Sequence, residues 1–507
     1  MKKVISLILC IVMAATLFVA CGEKEISDNP DEHVTLKWVT RGPGKLEDSE
    51  KVWAEFNKML AEYLPNTTVE FQMIPSADYV EKFRLMSAAQ ETVDICWVSF
   101  NQNFVEEVGK GSYMDITDLI EEYGQDMKAG FPDWLLDLTT VDGRIYAIPN
   151  YQMMAFPSGF GVPVEHIEKG WIDLEKAEEV FCSGDVPHKE DYKIFEDYLT
   201  KVQESGEDVK YVASNFLSEA IKFKYGLPYM GVEEIVCNAV FLRDGDDFKV
   251  YDRLTDFPEN NEYYGLINEW NKKGFIRSDI LEKPAEKASD YLLWSQHEFI
   301  GSEETLSKSA GRPMEIFTYM PESYVPYKGS STNTAIAAQS KHPERAMQLL
   351  NLLNSEKGKD LLNLLAFGIE GEHYEKLSEN RIKWLEPENP GSSSNRYGYE
   401  VWALGNALVA YETDANPEGW NDYCENEINA KATISRLKGF SLDTKPIQLE
   451  IAQYNAKWKE YTYLEKAAPD NWEELIAERN AQLKKAGSDK IVAEVQRQVD
   501  EWLKTQK

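Results

Sequence analysis

The chain has 507 residues, more than the roughly 250–300 that one hydrophobic core organises, so two or more core-bearing units are expected. With 43% hydrophobic and 12% aromatic residues it has the material for those cores and no sign of low complexity. Its 54 basic and 87 acidic side chains leave a net charge of −33, a surface that repels phosphate backbones and anionic headgroups, so nucleic acid is not an expected partner.

Residues 1–20 read MKKVISLILCIVMAATLFVA: two lysines, an apolar run and small residues, the pattern of an export signal. Leu17-Phe18-Val19-Ala20-Cys21 resembles a bacterial lipobox, with Phe18 where Leu is usual. Cys21 is then expected to carry the lipid, a diacylglyceryl group and an acyl chain such as palmitate, with residues 21–33 as a polar tether. No later stretch approaches the roughly 20 apolar residues of a transmembrane helix. The body is therefore expected on the outer side of the cell membrane, held by lipid alone. Cys96, Cys182, Cys237 and Cys424 match no zinc spacing and read as small buried hydrophobes, with a disulfide as the alternative that an exported protein allows.

Val34–Thr40 alternates like a strand and Arg41-Gly-Pro-Gly44 breaks it. Val52, Phe56, Met59, Leu60 and Tyr63 recur at helical spacing, Thr68–Ile74 is a second strand, Tyr79–Ala89 a second helix and Val93–Val98 a third strand. That alternation predicts a parallel α/β sheet, because parallel neighbours need a helical crossover. Ligands in such sheets sit beyond the carboxyl ends of strands, which singles out Arg41 and the loop Trp97–Asn101, including Ser99. Gly143–Pro149 reads as one short strand, and helices at Tyr192–Glu204 and Glu262–Lys273 suggest a second lobe before about residue 325. Asp244-Gly-Asp-Asp247 reads as a hairpin turn, since the calcium-loop positions are missing. Pro343 opens a further helix. The C-terminal third is expected to be mostly helical, with periodic runs at 397–412, 447–465 and 471–486 and a polar helix at 488–505.

The lipobox, the exported α/β lobe, the Tyr146-Ala-Ile-Pro149 strand and Ser340-Lys-His-Pro-Glu-Arg-Ala-Met-Gln-Leu-Leu350 together resemble family 1 extracellular solute-binding proteins of ABC importers. The resemblance tightens at Asn363-Leu-Leu-Ala-Phe-Gly-Ile-Glu-Gly-Glu-His-Tyr374 and Trp402-Ala-Leu-Gly-Asn406, which look like a large-lobed Gram-positive subgroup with a helical C-terminal extension. Ala77-Asp78-Tyr79 matches the subgroup's acidic-aromatic helix start, whereas Cys96-Trp97 departs from its pattern. The resemblance implies a two-lobed α/β fold of the periplasmic-binding-protein type II, with a hinge and extra C-terminal helices. Lobe 1 is expected at 34–148 plus 326–370 and lobe 2 at 149–325 plus 371–507. Chain crossings are expected at Tyr146–Asn150, at 317–326 and near 371. It also implies a monomer that closes on a solute and hands it to permease subunits, and many members bind sugars. A peptide or another polar solute is the alternative ligand on this scaffold.

A sugar cleft needs flat aromatic faces and planar polar groups that pair with hydroxyls. Trp97, Tyr151, Tyr229 and Trp402 are the candidate platforms, and Arg41, Ser99, Asn150 and Asn406 the candidate polar contacts. Trp97 and Trp402 are expected to face each other across the cleft, one from each lobe. An enzyme, such as a secreted glycan-active one, is the less favoured reading: no G-x-S-x-G, H-E-x-x-H or G-x-x-x-x-G-K-[ST] motif occurs, and the six histidines are dispersed. No catalytic residue, metal site or cofactor is assigned.

Overall fold

The computed structural model describes residue 29 and residues 31–506, apart from 100–103, 183–188, 215, 218–231, 238–239, 244–247, 257–259, 283–286, 321–323 and 328–331. Cys21, Tyr229, the signal and most of the tether lie outside the described residues.

The strand Val34–Gly42 is the second of five in the first sheet, with Thr67–Pro75 at the edge on one side and the central strand Ile95–Val98 on the other, both parallel to it. The helices Ser49–Tyr63 and Tyr79–Ala88 are the crossovers that parallel pairing demands. The sheet is not wholly parallel. Asn333–Ile336 pairs antiparallel with Ile95–Val98 and with Ile148–Pro149, since the chain returns to this sheet from the second lobe and enters it from the opposite end. The expected strand Gly143–Pro149 is two pieces: Arg144–Ile145 forms a hairpin with Thr140–Val141, and only Ile148–Pro149 joins the sheet. Asp142 and Gly143 both take positive φ, 51° and 78°, which is the turn geometry a two-residue hairpin needs.

Behind this sheet, Trp38, Trp53 and Phe56 gather round Phe71 with centroids 5.2–5.6 Å apart, and the helices Pro343–Leu353 and Lys359–Phe367 complete the core. A second core is built on Phe160, Phe195, Phe216, Trp270 and Phe317. A third packs the sheet Val232–Val236, Val240–Arg243 and Lys249–Asp252 against the C-terminal helices. The last two of those strands pair antiparallel, as a hairpin at 244–247 requires, although the turn itself lies outside the described residues. Ser488–Thr505, expected to be polar, buries Ile491, Val495 and Val499 along one face, a helical period that its charged residues obscure in the sequence. Arg479 ties the preceding helix Trp472–Lys485 down: it is buried, and it donates to the Tyr264 hydroxyl at 2.7 Å and to the Leu254 carbonyl.

Two expectations about the C-terminal third need correction. Residues 397–412 form a single 3-10 turn at Val401–Ala403 and otherwise irregular chain, not a helix. Their amides are spent on other segments: Tyr399 N donates to Ala366 O, Asn406 N to Leu353 O and Ala407 N to Tyr151 O. Nor does the stretch after 371 pass as a whole to the second lobe. Tyr374, Ile382, Tyr397, Tyr399, Leu404, Ala410 and Ile428 belong to the first core. Gly368, at φ 80°, makes this possible, because a Cβ there would lie 2.6 Å from the buried His373 ring and 2.9 Å from Tyr397. His373 Nδ1 accepts from Ile369 N at 3.0 Å, which leaves Nε2 to donate to Asp48 at 3.2 Å. The cores therefore change over between Ala155 and Phe160, between Phe317 and Val325, and between Ile428 and Leu437. Two of those passages run side by side as a parallel pair, Tyr324–Val325 with Thr433–Ile434.

Candidate functional site

Arg41 leaves the carboxyl end of the Val34–Gly42 strand. Its Nε and Nη2 both donate to Ser76 Oγ, at 3.1 and 2.7 Å, and Nη1 lies 3.7 Å from the Glu400 carboxylate. The guanidinium stands 5.3 Å from the Trp97 ring centroid and 4.8 Å from that of Trp402. A cation against an indole is worth about 0.5–2 kcal/mol, more as water is excluded, so two indoles hold this charge without neutralising it. Burial pushes the Glu400 carboxyl above the usual carboxylate range, and Arg41 pulls it the other way.

Trp97 and Trp402 do not face each other from separate lobes. Both belong to one packed cluster on the first lobe, with Tyr79, Val141 and Tyr146, because the segment carrying Trp402 folds back onto that lobe. Trp97 is only 7% exposed. Its indole N–H donates to Thr332 Oγ1 at 2.7 Å, Tyr79 OH donates to its carbonyl at 2.6 Å, and the Tyr79 ring meets it edge-on at 5.4 Å. Trp402 is half-buried and offers more of its surface.

Thr332 is the node beneath the pair. Its hydroxyl accepts from Trp97 and from Asn150 Nδ2 at 3.1 Å, and donates to the Trp402 carbonyl at 3.2 Å. Asn150 is fully buried, and its Oδ1 accepts from Thr334 at 2.9 Å. Tyr151 is 2% exposed, packed edge-on against Phe131. Asn406 is buried, with its Oδ1 accepting from Leu408 N at 3.0 Å. The structure thus brings Arg41, Trp97 and Trp402 together, with Asn150 joined beneath them through Thr332. It places Tyr151 and Asn406 in the framework behind. Ser99 is buried at the end of its strand, and Tyr229 lies outside the described residues. Sequence reasoning missed Ser76, Thr332 and Glu400. Ser76 follows the carboxyl end of the second strand, the same signal that marked Arg41, and Glu400 lies two residues before the Trp402-Ala-Leu-Gly-Asn406 motif.

Two sizeable cavities among the described residues lie elsewhere. One, of about 960 Å³, runs along the passages between cores and is lined by Pro157, Glu298, Thr318, Tyr423 and Lys431. The other, of about 950 Å³, opens between the Asp142–Gly143 hairpin and the C-terminal helix. Among the described residues the cysteines are free, with Cys96, Cys237 and Cys424 buried and Cys182 half-buried. No cluster among the described residues could hold a metal ion, and no helix among them is long and apolar enough to cross a membrane.

Residues 436–504 match a family described as a domain of unknown function, DUF3502. Along its whole length the chain is similar to a carbohydrate ABC transporter substrate-binding protein of Streptococcus pneumoniae, at 26% identity over 98% of this chain and 97% of the relative. Among solved structures, the N-glycan transport solute-binding protein NgtS of the same organism aligns at 23% identity, covering 93% of this chain and all of the other, with a TM-score of 0.74. An extracellular solute-binding protein of Bifidobacterium longum subsp. infantis aligns at 14% identity over 94% and 99% of the two chains, with a TM-score of 0.55. The fold is that of two-lobed solute-binding proteins, with additional C-terminal helices.

The node at Thr332 gives a direct test. Thr332→Val keeps the shape but strips the acceptor from the Trp97 indole and the Asn150 amide, and an unpaired buried group costs about 1–3 kcal/mol. Urea denaturation should show a loss of roughly 2–4 kcal/mol at unchanged slope. A loss below about 0.5 kcal/mol, the scale of an ordinary surface change, would show that the hydroxyl does not hold the site together.

Proposed function

We propose that this chain captures a carbohydrate, a sugar or an oligosaccharide, outside the cell and delivers it to the permease subunits of an ABC transporter. The observation that carries the reading is the Arg41 guanidinium held between Trp97 and Trp402 at the carboxyl ends of the first sheet. The Trp402 indole presents a flat apolar face to the CH side of a pyranose ring. The N–H groups of Arg41 not engaged by Ser76, together with the Glu400 carboxylate, suit pairs of hydroxyls. The end-to-end similarity to a carbohydrate substrate-binding protein supports the ligand class. So do the NgtS structures in complex with Man1GlcNAc and Man5GlcNAc. Their TM-scores, 0.64 and 0.60 against 0.74, fit a lobe arrangement here that differs from the glycan-bound one, as closure at the passages between cores would produce. The relatives are binding proteins, and the chain is read as one and not as an enzyme.

In this reading the chain works as a monomer. The lobes are the first core with 34–155 and 325–428, and the second and third cores with the remainder. Asn150, Tyr151 and Asn406 set the cleft wall, and Ser99 borders the ligand. The sequence supports an anchor at Cys21, with the body extracytoplasmic on the outer face of the membrane.

Thermal-shift screening against mannose–GlcNAc oligosaccharides, other glycans and peptides identifies the ligand, since anything bound only to the native state raises its apparent stability. Trp97→Ala and Trp402→Ala should then weaken binding of that glycan at least about tenfold by calorimetry. Unchanged affinity in both folded variants, or a response to peptides alone, would contradict the assignment. The anchor has its own test. Each buried methylene contributes roughly 0.8 kcal/mol to membrane attachment, so Cys21→Ala should release the protein from the membrane fraction into the medium. A wild-type chain already free in the medium with no lipid at its N-terminus would refute it.

A further inference from the structure

We infer that the C-terminal unit, residues 436–504 and the turn beyond, builds a second subsite for the distal sugars of a long oligosaccharide. The inference rests on the carbohydrate reading above and extends it to a part of the chain with no assigned role. The cavity concerned, about 950 Å³, is large enough for several sugar units. One wall is the lobe 1 hairpin, through Thr140, Asp142 and Gly143, and the other is Ser441 with the last helix, through Gln498 and Trp502.

Three features make it a built site and not a gap between two surfaces. Trp502 is half-buried and is held edge-to-face against Phe440 at 6.0 Å, so its orientation is set by packing while part of the indole stays accessible. Gln498 accepts from Asp443 N at 2.9 Å and donates to Asp443 O at 2.8 Å, which fixes the loop carrying Ser441. Lys438 reaches across to Asp137 of lobe 1 at 2.6 Å and bridges the two walls. An aromatic face beside a hydroxyl and a turn carboxylate is a composition that suits a chain of pyranose rings.

The hairpin that forms the cavity's lobe 1 wall is also tied to the Arg41 site by packing. Val141, inside the hairpin that forms its lobe 1 wall, packs in the same cluster as Trp97, Tyr146 and Trp402. A glycan resting on Trp402 at one end would run along the hairpin toward Trp502. A disaccharide occupies only the Arg41 end, so the C-terminal unit selects for length.

Calorimetry on the full chain with mannose–GlcNAc glycans of two and of six sugar units, the sizes of Man1GlcNAc and Man5GlcNAc, tests this. Trp502→Ala should weaken binding of the longer glycan at least about fivefold and leave the shorter within twofold. Ser441→Trp narrows the cavity while keeping both Trp502 and Phe440, and it must show the same selectivity even if Trp502→Ala proves unstable. Equal losses for both glycans, or no loss for either in folded Ser441→Trp, would overturn the subsite while leaving the carbohydrate reading intact. A wild-type chain that binds neither of these glycans nor any other glycan of the screen would remove that reading, and the subsite with it.

Discussion

A guanidinium between two indoles fixes the geometry on which the candidate site depends. Arg41 has Ser76 beneath its fork, Glu400 beside it and the rings of Trp97 and Trp402 about 5 Å away. The indoles attract the cation without consuming its N–H donors, and a distant, partly buried carboxylate at 3.7 Å only partly offsets its charge. That leaves directed donors next to an apolar face, and the fold positions both in one place. In a protein with a net charge of −33, a held cation at strand ends is also a local exception in the surface potential.

The parts come from five separate stretches of chain. Arg41, Ser76 and Trp97 lie at the carboxyl ends of three neighbouring strands, Thr332 stands at the start of a strand that returns from the second lobe, and Glu400 and Trp402 lie on a segment wrapped back from beyond residue 368. What makes this assembly possible is the accounting of buried backbone groups. The irregular stretch around Tyr397–Asn406 has no ladder of its own, yet its amides find carbonyls on the two helices and the loop it crosses. Gly368 and the His373–Asp48 contact start that wrapping, so residues far from the ligand determine where Trp402 stands.

Local patterns explain how much of this was legible. The helices and strands of the first 98 residues have clean periods, and their alternation implied the sheet and so the position of Arg41. The Pro343 helix was marked by its own proline. The run at 397–412 misled, because Val401, Leu404, Leu408 and Tyr411 recur at three- and four-residue spacing and look helical, whereas Gly398 at φ 136° and Gly405 interrupt any helix there. The division of the chain after 371 was hidden for a related reason: short strands and loops that pack by side chains leave no period to read. Asn150, Tyr151 and Asn406 were chosen for chemistry that suits hydroxyls, but burial decides whether such groups meet a ligand or their neighbours, and burial follows from contacts between distant segments. The antiparallel entry of Asn333–Ile336, which puts Thr332 under both indoles, is likewise a property of the path between lobes.

The account places the ligand on the Arg41 side of the first lobe, and a crystal structure of the protein with the tightest-binding glycan from the screen tests that most directly. It should show a sugar ring over Trp402 with its hydroxyls within hydrogen-bond distance, about 2.7–3.2 Å, of Arg41 or Glu400, and the second lobe closed over it. A glycan bound only along the passages near Glu298 and Tyr423, with Arg41, Trp97 and Trp402 untouched, would contradict it.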